Sequence, residues 1–69
     1  MKSFNFETGT LSVTKTKHAD KPALKLFYNP VCIFIHYDYE TARDRAFDNF
    51  CDRNALAVYF GIQNMGQTL

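Results

Sequence analysis

The sequence predicts an α+β domain: a mainly antiparallel sheet of four to five strands, in the order ββββαβ, with one amphipathic helix packed on one face. Three observations carry this. The first half alternates apolar and polar residues with a period of two, at Phe4/Phe6, Leu11/Val13 and Leu24/Leu26/Tyr28, which gives each strand one apolar face. After Asp38 the spacing changes to that of a helix, with Tyr39, Ala42, Ala46, Phe47 and Phe50 on one arc. The chain has 69 residues, room for one domain spanning 1–69. A chain this short buries only about 60% of its unfolded surface. Its seven Phe and four Tyr are the expected compensation, with self-association into a homodimer as another.

Taken in order, "SFNFETGTLSVTKT" reads as two strands joined by a turn at 7–10. "KHADKP" reads as a polar loop closed by Pro22, and "ALKLFY" as a third strand. "NP" at Asn29–Pro30 is a turn signal. "VCIFIHY" is apolar on both parities, as in a strand covered on both faces. Asp38 suits an N-cap and Asn54 a left-handed C-terminal position, which bounds a helix over 39–53. "ALAVYFGI" is a continuous β-prone run and reads as a last strand, parallel to the fourth through a right-handed crossover. Residues 62–69 read as a frayed tail. With one helix on one face, Ile33, Ile35 and Val58 on the other would need a dimer partner or ligand as cover.

Composition excludes several classes. Two cysteines without a CxxC do not make a disulfide framework, so both are expected reduced and the compartment cytoplasmic. No apolar run approaches the roughly 20 residues that span a bilayer, so no membrane partner is expected. P-loop, HExxH and GxSxG strings are absent from the sequence, and a chain this small has little room for a pocket, so we expect no enzyme, cofactor or metal.

Within "VCIFIHYDYE", Cys32, Phe34 and His36 share a strand face, with Cys32 and His36 roughly 13 Å apart. That separation is too long for one zinc ion or for a Cys–His nucleophile pair. Cys32 and Cys51 read as small buried hydrophobes. His36 reads as strand-end packing, with a pH-sensitive or binding role as the alternative, and a pairing of His36 with Cys51 across the sheet–helix interface stays open.

Charge is unevenly placed. Residues 1–30 carry a net +3 and residues 31–69 a net −2, a dipolar layout that can present one basic and one acidic surface. Glu40, Asp44, Asp48 and Asp52 recur every fourth residue. As one helix stripe they repel by about 0.2–0.5 kcal/mol per pair. Asp52 would sit at the unfavourable end of the helix dipole, with Glu40–Arg43 and Arg45–Asp48 offsetting part of this. Such a stripe is either a solvated face or a surface for a basic protein partner, of which a nucleic-acid-binding protein is one example. Arg43 falls inside the apolar arc, either snorkelling to water or pairing with a carboxylate or partner near the sheet edge.

The leading functional expectation is a non-enzymatic protein-binding module acting through Glu40, Asp44, Asp48, Asp52 and Arg43, or through a sheet edge. Its most specific form is a stoichiometric inhibitor or regulator of the kind that phages and mobile elements encode. The alternative is single-stranded RNA or DNA binding by Lys15, Lys17, Lys21, Lys25 and Tyr28, with strand aromatics as stacking platforms.

Overall fold

The structure, a computed structural model, describes residues 1–67. Strands β1 (Lys2–Phe6), β2 (Gly9–His18), β3 (Lys21–Tyr28) and β4 (Val31–His36) are followed by helices α1 (Glu40–Asp48) and α2 (Asp52–Gln67). The strands form an antiparallel meander in the order β1-β2-β3-β4. This is the predicted α+β class and the predicted run of hairpins.

Register divides the sheet into two faces. Phe4 pairs with Leu11, Val13 with Leu26, Leu24 with Ile35 and Tyr28 with Val31, so these residues share one side. That side holds the core, where Leu11, Val13, Leu24, Leu26 and Tyr28 pack with Ala55 and Ile62 of α2. Phe47 and Phe50 close it from the first helix and its C-terminal side. Aromatic packing is dense: Phe6 stacks on Tyr59 at 4.2 Å, Tyr59 meets Tyr28 edge-on at 5.6 Å, and Phe4 lies 5.6 Å from Phe50. Phe4 and Phe6 belong to this core and not to a nucleic-acid surface.

The segment read as a last strand is helix. Ala55, Val58, Tyr59 and Ile62 face the core, the i, i+3, i+4, i+7 spacing of one helix side. A continuous apolar run satisfies strand and helix templates alike, and the period hidden inside it decides. The helix also absorbs most of the supposed tail, with Ile62 buried; Thr68 and Leu69 lie outside the described residues. There is accordingly no crossover strand, and the predicted single helix is two. Both helices lie on the one sheet face that carries Ile33 and Ile35, and Val58 packs onto the core from α2.

The helix break sits at Asn49–Cys51. Lys2 Nζ donates to the carbonyls of Asp48 and Phe50 at 3.0 Å each, placing a cation at the negative end of α1. The Cys51 N–H donates to Asn54 Oδ1 at 3.0 Å, the third residue of α2 reaching back to the cap position. Asn54 therefore opens a helix where a closing role was expected. Tyr39, not Asp38, is the N-cap residue of α1 and has no side-chain cap.

The "KHADKP" segment is not a loop. β2 and β3 run on to a two-residue turn at Ala19–Asp20, both at positive φ, 55° and 63°, as the right-handed strand twist requires of such hairpins. Pro22 lies inside β3 opposite Lys17. Its carbonyl accepts from the Tyr37 N–H at 2.8 Å, so its nitrogen faces the same side, at the last pairing with β4, and the proline lacks only the one terminal bond an N–H would return to Tyr37. The Asn29–Pro30 bond is cis.

Candidate functional site

The second sheet face is uncovered. By register it carries Ser3 and Asn5 of β1, Thr10, Ser12, Thr14, Thr16 and His18 of β2, Lys21, Ala23, Lys25 and Phe27 of β3, and Cys32, Phe34 and His36 of β4. None of these strand residues is acidic. Every carboxylate of the described chain lies in a turn, in the β4–α1 connection or on the helices.

A cluster occupies the end of this face nearest the β2–β3 turn. The His18 ring stacks on Phe34 at 3.9 Å with 5° between planes, and its Nδ1 lies 2.8 Å from Nε2 of His36. β2 and β4 are not neighbours, so His18 reaches them across β3, where Thr16, Ala23 and His36 stand in one row. Ala23 is fully buried yet takes no part in the core cluster. Ala23 stands between β2 and β4 on this face, so a larger side chain there would crowd the path by which His18 reaches Phe34. Further along, Phe27 is 38% exposed and Lys25 Nζ lies 5.9 Å from its ring centre, a cation–π distance.

The sequence-predicted basic set is only partly assembled. Lys21 and Lys25 point to the open face. Lys15 faces the helices, 3.8 Å from Asp44 and 5.2 Å from the Phe47 ring centre. Lys17 lies on the same parity as Lys15 and is exposed. Tyr28 belongs to the core, its hydroxyl bonded to Thr8, so it offers no stacking surface. Phe27 takes that place, one residue earlier and on the opposite parity. Alternation in "ALKLFY" pairs Phe27 with Lys25 and could have shown this.

The acidic set is dispersed. Asp52 opens α2, where a carboxylate is favourable and not repelled, and only Glu40, Asp44 and Asp48 share α1. Asp44 is half-buried and held by Arg43 at 3.0 Å as well as by Lys15. Arg43, with 16% of its side chain exposed, does not snorkel: Nε donates to Asp44 at 3.1 Å and Nη1 to the Thr16 carbonyl at 2.9 Å. β1 pairs with β2 only as far as Val13, so Thr16 lies on an unpaired edge, and Arg43 blunts it.

Both cysteines are exposed, against the expectation that they are buried. Cys32 lies on the open face, across from Phe27. Cys51 stands at the start of α2, on the helix side of the sheet, whereas His36 lies on the open face. Hydrogen bonds from the backbone N–H groups of Asn54 and Arg53 hold its thiol below the usual range. Two shallow grooves flank α2, one against β1 at Phe4, Phe6 and Leu56, the other against Ile35 and Tyr37. Neither brings a nucleophile and a base together among the described residues.

No family model matches the chain, and no curated protein or solved structure shows significant similarity to it. No helix among the described residues is long and apolar enough to cross a membrane.

Proposed function

We propose that this is a non-enzymatic binding domain whose open sheet face takes single-stranded nucleic acid. One observation carries the reading: a sheet face with aromatic rings and lysines and no carboxylate. Phosphates repel acids and attract Lys21 and Lys25, whereas bases offer flat faces to Phe27 and to the outer side of the His18–Phe34 stack. Ser12, Thr14 and Thr16 add hydroxyls that donate or accept without sequence demand. The surface differs from the loop-and-Tyr28 set expected from sequence, though its chemistry is the same.

A protein partner is the second reading, favoured by the outer side of α2, where Leu56 and Phe60 are 45% and 56% exposed. The acidic residues give it less support, since Asp44 is satisfied internally and Asp52 belongs to another helix.

Fluorescence anisotropy with labelled homopolymeric single strands and a matched duplex separates the two readings. Phe27→Ala is expected to weaken single-strand binding by about 1–3 kcal/mol. Lys25→Ala should reduce the salt slope by about 0.7. Leu56→Ser/Phe60→Ser should leave both unchanged. Absence of binding at low salt overturns the nucleic-acid reading, and a nuclease-resistant partner captured by wild type but not by the α2 variant supports the second.

A further inference from the structure

We infer that His18 and His36 form a binding site for a divalent late transition metal, copper(II) above all. The His18 Nδ1 and His36 Nε2 atoms approach to 2.8 Å. Two imidazole nitrogens bound side by side in a tetragonal site, each about 2.0 Å from the metal, stand about 2.8–2.9 Å apart. In a tetrahedral zinc site the same two nitrogens are about 3.3 Å apart. The separation is that of two ligands in a tetragonal copper or nickel site. The ring centroids lie 5.0 Å apart, so the two nitrogens point at each other in the free protein, and both side chains turn by roughly 45° through their own torsions to aim their lone pairs at one ion.

Both rings are exposed and held on strands separated by β3, so their spacing is set by the sheet and not by a loop. Among the described residues no third histidine, cysteine or carboxylate joins them, which leaves the remaining positions to water. Lys21, opposite His18 in register, adds positive charge that limits affinity. The protons balance without an external base. In the neutral pair one ring donates its N–H to the other. On binding, that ring's proton moves to its opposite nitrogen, and each ring then offers one lone pair to the metal. Copper is preferred over nickel and zinc by the ordinary affinity order for nitrogen ligands. The inference holds whatever else the face binds.

The test is copper(II) titration of the Cys32→Ser/Cys51→Ser protein, which removes competing thiols, followed by visible absorption and electron paramagnetic resonance. The expected result is uptake of one equivalent, with hyperfine structure from two imidazole nitrogens. His18→Phe keeps a ring against Phe34 while deleting a ligand, and with His36→Asn it should lower affinity at least tenfold; circular dichroism checks that both variants keep the fold. Nickel(II) should compete better than its place in the order alone allows relative to zinc(II). Copper uptake of equal affinity in wild type and both variants would assign the metal to the amino terminus and overturn the inference. So would a spectrum with one imidazole nitrogen.

Discussion

Replacing Ala19 by glycine should stabilise this protein, although alanine-to-glycine changes destabilise regular structure. Ala19 is the first central residue of the β2–β3 turn, with φ of 55°. For a residue with a Cβ the left-handed region costs about 1–2 kcal/mol. Glycine enters it without that cost but loses about 0.5–1 kcal/mol in the entropy of the unfolded chain. The balance is a gain of about 0–1.5 kcal/mol, centred on about 0.75 kcal/mol, and the central value raises Tm by about 3–6 °C for a domain of this size. Thermal unfolding followed by circular dichroism measures it. Ala57→Gly, at an exposed position in the interior of α2, is the internal control and should cost about 1 kcal/mol. If both glycines lower Tm alike, the turn does not hold Ala19 in the left-handed region and the reasoning fails.

Other perturbations test other joints of the fold. Arg43→Ala removes a charged donor from the Thr16 carbonyl and should lower stability by about 1.5–3 kcal/mol in urea unfolding; Arg43→Lys should recover only part, since a point charge cannot serve both acceptors. In a Cys32→Ser background, Cys51 alkylation should reach half its maximal rate at lower pH when folded than in urea, because two backbone N–H groups hold the thiolate. The same depression means that the thiolate's contribution to folding is present above the unfolded thiol's pKa and lost as pH falls through the folded one, so Cys51→Ala should matter more to stability at alkaline than at neutral pH. Ala23→Leu crowds the path by which His18 reaches Phe34 and should abolish the ring-current shift of Phe34 on the His18 protons while leaving the core intact.

The first three strands were legible because each carries a period-two pattern that only one face of a sheet can use; β4, apolar on both parities, reads as a strand covered on both faces but lies at the sheet edge with Cys32 exposed. Turn chemistry was less so. Ala-Asp is not the residue pair that advertises two positive φ values, and Pro22 argues for a loop although, opposite Tyr37 at the end of β4, it removes only one terminal bond of the ladder. α2 was obscured by Ala55–Ile62, whose apolar residues are dense enough to hide a helical period. The break after α1 rests on a cysteine cap and an asparagine at the third helical position, neither a strong signal. For the candidate site, the residue types were visible but their face was not: a shift of one position exchanges Tyr28, in the core, for Phe27, on the open surface.

The most direct measurement is amide and side-chain chemical-shift mapping of the labelled protein with a short single-stranded oligonucleotide. If the sheet face is the binding surface, perturbations concentrate on Lys21, Lys25, Phe27, Phe34 and His18 and fade at higher salt. Shifts confined to Leu56 and Phe60, or none at low salt, would contradict that account.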